Sequence, residues 1–339
     1  GSPKISAAKH PSNAKMPTRN GPPGTTRPTM WREYPSTLAI LPLDPTTIAE
    51  HTRCMRLTPS YGPDPVMSLD GPPDAVAAPA IRQRRRLVDL LASLDEAAWS
   101  HPSRCEGWTN RDVVVHLDST NAFWTHSITE GLSGRPTRFL ATFDPVASPA
   151  ELVAATEVRS GAETVERFAA STEALLALVE QLDTADWTAT AESPAGHVSV
   201  ATVVHHALWD GWVHERDIAL PLGLAPAVED DEVLAALRFV AGLGPAFAIS
   251  RGVGRTGRIV INTTSPESAT IVEIGDRVVV RQGSDTAGTD DTDALRLSGD
   301  AVDLLEALST RSRLDPPAAS EHTWMVSGLH ETFDLAPLA

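Results

Sequence analysis

The stretch HHALWDGWVHERDI, residues 205–218, sets His206, Asp210 and His214 four residues apart. On an α-helix, residues so spaced are offset by about 40° and separated by about 6 Å of rise, so their side chains meet on one face. An imidazole and a carboxylate brought together in this way form a ligand pair for Zn²⁺, and equally for Ni²⁺ or Fe²⁺. Two pairs are available, His206 with Asp210 and Asp210 with His214. The two histidines lie about 12 Å apart along the axis, too far to share one ion, so the spacing allows one pair or the other. A catalytic site takes a third protein ligand and leaves a position for water or substrate. His116, set in DVVVHLD, is the candidate for that third ligand, and its competing reading is a hydrogen-bonded core histidine. Asp112 also stands four residues from His116, but it follows Thr109 by three and reads as half of a capping box. A polar stripe facing solvent accounts for His205, Glu215 and Arg216. It does not account for Asp210, because a carboxylate flanked by Trp209 and Trp212 needs a partner.

These side chains need helices to hold them. IRQRRRLVDLLASLD carries Ile81, Leu87, Leu90, Leu91 and Leu94 at helical spacing. TNRDVVVHLDSTNAFWTHSITEGL predicts a helix that starts behind Thr109 and runs to about Gly131, with His116 in its first half. Residues 149–182 form one long amphipathic stretch, and a fourth helix starts behind Ser199 and stops near Pro221 and Gly223. DEVLAALRFVAGLG gives a fifth. Long helices in series predict an antiparallel four-helix bundle over residues 76–250.

After Gly252 the period becomes two. GRIVINTT, ATIVEI and RVVVRQ read as short strands, ALRLSGDAVDLLEALSTR as a strand followed by a helix, and HTWMVSG as a last strand. The expectation for 251–339 is a small α+β domain, with the acid-rich GSDTAGTDDTD as an exposed loop. The fold class is therefore mainly α, a bundle with a small mixed domain behind it. Residues 1–75 are rich in Pro, Gly, Ser and Thr and show no hydrophobic period, which predicts a disordered leader. Gly1-Ser2 reads as the scar of tag cleavage, and Met67 as an alternative start.

A net charge of -16 over 339 residues excludes nucleic acid and anionic membrane surfaces as partners. No uninterrupted apolar run approaches the length of a membrane span. Cys54 and Cys105 form no C-x-x-C pair, which fits a reducing, cytoplasmic compartment. A monomer or homodimer is expected.

SRCEGWTNRDVVVHL and WDGWVHERDIALPLG resemble the second-helix and fourth-helix motifs of the mycothiol-dependent maleylpyruvate isomerase family, a branch of the DinB-like metal-binding bundles. The resemblance covers roughly residues 76–335, because the small domain is similar to the sterol-carrier-like domain of these enzymes. Carried over residue by residue, it implies a metal triad of His116, Asp210 and His214, with His206 left as lining. Family members often have glutamate where Asp210 stands, so this arm is one methylene shorter. The implied cofactors are a divalent metal, zinc first, and mycothiol; the implied partners are a small thiol and a small electrophilic substrate. Asp217 and Arg216 are candidates to orient a ligand from the next turn. Arg111, on the second helix, and Arg311 or Arg313, after the C-terminal helix, are candidates for a substrate carboxylate or sugar hydroxyls. Trp209 and Trp212 are candidate walls for the cofactor, against plain core packing. Cys105 is read as packing at a helix start.

A thiol coordinated to a metal loses its proton outright, whereas a free thiol titrates near about 8.5. The thiolate adds to an electrophilic carbon and either stays, as in S-transfer, or leaves after rotation about a loosened double bond, as in cis-trans isomerisation. The competing expectations are a non-catalytic DinB-like metal-binding or regulatory protein, and a hydrolase that uses water in place of the thiol.

Overall fold

Hydroxyl caps set where the bundle helices begin. The computed structural model describes residues 57–283, 294–315 and 317–333. Its first helices are α1 (Ala77–Ala92), α2 (Glu96–Trp99) and α3 (Asn110–Leu132). Thr109 accepts from the Asp112 amide and Asp112 accepts from the Thr109 amide, the reciprocal capping box expected from the spacing. Such a cap contributes about 1 kcal/mol and fixes the helix start, which here fixes the register of His116. After α4 (Ala147–Ala155), a second capping box of Ser160 and Glu163 starts α5 (Gly161–Val179). Ser199 caps α6 (Val200–Ala219), which ends at a 3₁₀ turn and Gly223 in the left-handed region, φ 72°.

α1 and α3 each pack against both α5 and α6, closing a ring of four helices. α6 is buried almost all round, because the rest of the fold covers its outer face. Gly211 makes one crossing close: a Cβ there would stand 2.4 Å from Gln83 Oε1 on α1. α7 (Asp230–Ser250) packs on α6 and joins the bundle to a sheet. By length and composition it could cross a membrane, an exception to the expectation of no such run, but 72% of its apolar window is buried inside the fold.

The strands are β1 (Met67–Leu69), β2 (Thr190–Ser193), β3 (Gly196–Ser199), β4 (Gly257–Thr264), β5 (Glu267–Ile274), β6 (Val278–Gln282) and β7 (Ala294–Gly299). β2 and β3 form a hairpin, and the others form a sheet of order β1-β6-β5-β4-β7 in which the two edge strands run parallel to their neighbours. α8 (Ala301–Leu308), capped by Asp300, follows β7 and packs on α7.

Three expectations are corrected. The stretch 149–182 is two helices, because Thr156 leaves helical conformation and Ser160 caps a new start; α4 buries no residue and is no wall of the bundle. HTWMVSG is not a strand: it forms a 3₁₀ turn (Thr323–Met325) followed by α9 (Gly328–Thr332). The buried residues there, Met325, Val326 and Leu329, recur at helical intervals. The leader is ordered from Leu57 onward, since its backbone adds to existing edges. The Ser60 amide donates to the Ala195 carbonyl at 2.9 Å, and β1 extends the sheet with Val66 and Met67 buried beneath it. The rest of the leader and the acid-rich loop from Ser284 lie outside the described residues.

Candidate metal centre

α3 and α6 face each other in antiparallel register, and their residues meet in rungs four residues apart. The His116 and His214 rings are 5.2 Å apart edge-on, Thr120 Oγ1 lies 3.3 Å from Asp210 Oδ2, and the Trp124 and His206 rings are 4.7 Å apart. On these rungs His116 Nε2 stands 3.7 Å, and His214 Nε2 3.5 Å, from Asp210 Oδ1. The three donor atoms all lie within 4.8 Å of one another. Ligands bonded at about 2 Å to a single ion stand at most about 4 Å apart, a limit that both nitrogen–oxygen distances meet. Two imidazole nitrogens and one carboxylate oxygen also match zinc and its borderline neighbours.

The groups behind the triad fix its orientation. His214 Nδ1 donates to Asp217 Oδ2 at 2.9 Å, so the lone pair of the neutral ring is on Nε2, facing Asp210. A carboxylate behind a ligating histidine sets its tautomer and raises its basicity. Asp217 is fully buried and is held by Arg311, whose Nε and Nη2 donate to it at 2.8 Å. Arg311 reaches this position because Thr310 turns the chain at φ 65°. A β-branched residue there costs about 1–3 kcal/mol, so surrounding contacts must hold the turn. Arg104 adds to the clamp: its amide donates to the Asp217 carbonyl at 3.0 Å and its side chain pairs with Glu306 on α8, as does Arg216.

Burial by itself would raise the Asp210 carboxyl, but the imidazoles of His116 and His214 and the Arg84 guanidinium outweigh it and hold it well below the usual carboxylate range. Burial would lower His214. Its acidic neighbours, Cys105, Asp217 and Asp210, win and raise it to about 10. His206 moves the other way, to about 4, because burial among aromatic rings disfavours its cation.

Cys105, read from the sequence as packing, is part of this cluster. Its Sγ stands 3.3 Å from Asp217 Oδ2, 3.7 Å from His214 Nδ1 and 3.6 Å from Arg311 Nη2. Cys105, His214 and Asp217 are thus a second convergent donor set. Arg311 already serves as the cation of that set, and His214 presents a proton to it, so the Asp210 side is the one that could accept a metal ion.

The other candidates fall in different places. Arg111 pairs with Glu96, which also accepts from the Gly161 amide, so it ties α3 to α2 and α5. Arg313 is exposed. Arg311 is committed to Asp217 and not to open space. Trp209 Nε1 donates to Ser309 Oγ at 2.8 Å, and Trp212 is buried with the Arg216 guanidinium 4.7 Å over its ring. His205 and Glu215, assigned to a solvent stripe, are buried. His205 donates to the Ala201 carbonyl, and Glu215 receives Arg86 and Gln83 from α1. Sequence reasoning missed Thr120 and Arg84. Thr120 is four residues beyond His116 and so on its face, while Arg84 sits in a run of basic residues that reads as surface.

Residues 81–219 match the family model described as "Mycothiol maleylpyruvate isomerase N-terminal domain". No curated protein matches the sequence at a significant level. Among solved structures, the crystal structure of the mycothiol-dependent maleylpyruvate isomerase superposes with a TM-score of 0.52 at 15% identity, over 72% of this chain and 91% of that one. A histidine-to-alanine mutant of that isomerase gives a TM-score of 0.51 over the same shares. Residues 81–219, which hold all three converging side chains between α3 and α6, are thus the part of the chain that is similar to the mycothiol maleylpyruvate isomerase N-terminal domain.

Proposed function

We propose that this protein is a metal- and mycothiol-dependent enzyme acting on a small unsaturated electrophile, by cis-trans isomerisation or by S-transfer. The observation that carries the reading is the convergence of His116 Nε2, Asp210 Oδ1 and His214 Nε2, backed by Asp217 and Arg311. A divalent cation held by these three would lower the pKa of a thiol bound beside it, supplying a thiolate at neutral pH.

The chain's own residues prepare the site for that role. Thr120 meets Asp210 Oδ2, which leaves Oδ1 as the oxygen that both imidazoles approach. Asp217 holds the Nδ1 proton of His214 and keeps Nε2 free to ligate. Arg311 neutralises Asp217 inside the fold, where a lone carboxylate would be costly. The burial of Asp210 and the tryptophans around it keeps bulk water from competing for the charges. Either reaction needs the thiol in its reduced form, which fits a reducing compartment such as the cytoplasm.

The test is turnover of maleylpyruvate by the zinc-loaded protein with mycothiol, followed by absorbance and by mass of the product. Isomer without added mass supports isomerisation, and a thioether supports S-transfer. Activity lost in His116→Ala, Asp210→Ala and His214→Ala is the expected result. Undiminished turnover in these variants, or without any thiol, would overturn the proposal.

A further inference from the structure

Among the described residues, the buried histidines pair with protein groups, with one exception beside the site. His205 donates to Ala201, His197 bonds the Thr137 carbonyl and His214 bonds Asp217. His206, only 6% exposed, has no hydrogen-bond partner on Nδ1, which is sealed from solvent. Among the described residues no protein group bonds Nε2 either, and this nitrogen, unlike Nδ1, is not sealed from solvent. The ring is boxed by Trp124 at 4.7 Å, Phe239 at 4.9 Å and Trp209 at 5.5 Å. A phenylalanine would fill such a box without an unpaired polar group, which costs about 1–3 kcal/mol when buried.

The ladder of rungs gives the position of that unpaired nitrogen. His206 is one helical turn from Asp210, about 6 Å along α6, on the rung where it meets Trp124 of α3. With Nδ1 sealed and unpaired, the tautomer that places its single N–H on Nε2 puts the donor where a ligand can reach it.

We propose that His206 is a catalytic residue, donating Nε2–H to the oxygen of a carbonyl or carboxylate conjugated to the substrate's double bond. The proposal rests on the reading of the site as one where a thiolate attacks an unsaturated electrophile. When sulfur bonds the β-carbon, the π pair moves through the conjugated chain onto that oxygen, and rotation becomes free about the former double bond. When the pair returns, the carbon–sulfur bond breaks and the thiolate leaves. No proton, oxidant or reductant is consumed. A fixed donor at the oxygen where charge develops is typically worth about 10²–10³ in rate.

The experiment uses the zinc-loaded full chain with His206→Phe, which keeps the aromatic packing, and His206→Gln, which returns an amide N–H near the Nε2 position. His206→Phe is expected to lower kcat about 10²–10³-fold, with zinc content and stabilisation by mycothiol unchanged, and His206→Gln to recover at least about tenfold of that loss. Independently of turnover, ¹⁵N imidazole spectra of the wild type are read with and without crotonate, a small α,β-unsaturated carboxylate. The His206 resonances, identified by their loss in His206→Gln, should show the proton on Nε2 and a shift at Nε2 on adding crotonate. A kcat within threefold of wild type in His206→Phe, a proton on Nδ1, or an unmoved Nε2 resonance would overturn the proposal. If the wild type shows no thiol-dependent turnover, the functional reading fails, and the crotonate shift still decides the role of His206.

Discussion

Replacing Asp217 by Asn tests whether the group behind the triad holds the site together. Asp217 accepts from His214, Cys105 and Arg311 on one oxygen and from Arg311 on the other, with Arg104 3.6 Å away. An asparagine must turn its NH₂ towards one of these donor sets, and it leaves Arg311 without its hydrogen-bonded counter-charge. Removing one partner of a buried pair costs about 3–5 kcal/mol. The Arg311 side chain keeps 21% exposure, which puts the expected loss at the low end of that range. About 3 kcal/mol corresponds to a drop in Tm of about 5 °C for a fold of this size. Loss of the carboxylate behind His214 should also weaken zinc binding about 10–100-fold. Differential scanning calorimetry and a competitive chelator titration measure the two effects. Adding Arg311→Met to Asp217→Asn should restore Tm, because both charges are then gone, while zinc binding stays weak. A single variant with Tm within about 1 °C and zinc affinity within twofold of wild type would refute the reasoning.

Zinc binding should also depend on pH. With His214 raised to about 10, the metal-free protein carries a proton on that ring at neutral pH, and a ligating Nε2 must lose it. Zinc affinity should rise about tenfold per unit between pH 7 and 9; a flat profile in competition titrations contradicts the assignment. In the metal-free protein the raised value gives the opposite sign for stability. The contribution of His214 is fully present below its unfolded pKa of about 6.5. It is lost as pH rises through about 10, as urea titrations across that window would show. Gly328→Ala should destabilise the fold by about 1–3 kcal/mol, because its Cβ would stand 1.9 Å from the Gly244 carbonyl oxygen and backbone cannot give way. Unchanged denaturant midpoints would mean that α9 does not pack on α7 in this way.

What could be read from the sequence followed local rules. The Thr109 and Ser199 caps and the four-residue spacing of Asp210 and His214 depend on neighbours along the chain, and they placed α3, α6 and one candidate ligand pair. His116 was legible as a polar residue in an apolar helix, but its meeting with Asp210 is a contact across 94 residues that only packing decides. Long-range strand addition was not legible. β1 has only three residues and owes its form to the edge of β6, and the same holds for the backbone of Ser60 on the hairpin. The split at Ser160 was legible and was missed, since Ser160 and Glu163 carry the same capping signature as Thr109 and Asp112. The solvent stripe failed because α6 is central: helical periodicity shows that polar residues share a face but not whether another helix covers it. Arg311 was identified as a candidate for substrate, yet its partner is Asp217, and the left-handed Thr310 that directs it there has no signature in a single sequence.

Titrating chelator-stripped protein first with zinc and then with mycothiol, by calorimetry, tests the central claim most directly. One zinc per chain, followed by mycothiol binding to the zinc-loaded form alone, is the predicted result, with both heats abolished in His116→Ala. Mycothiol binding equally well to stripped protein, or zinc binding that survives the loss of His116, would contradict it.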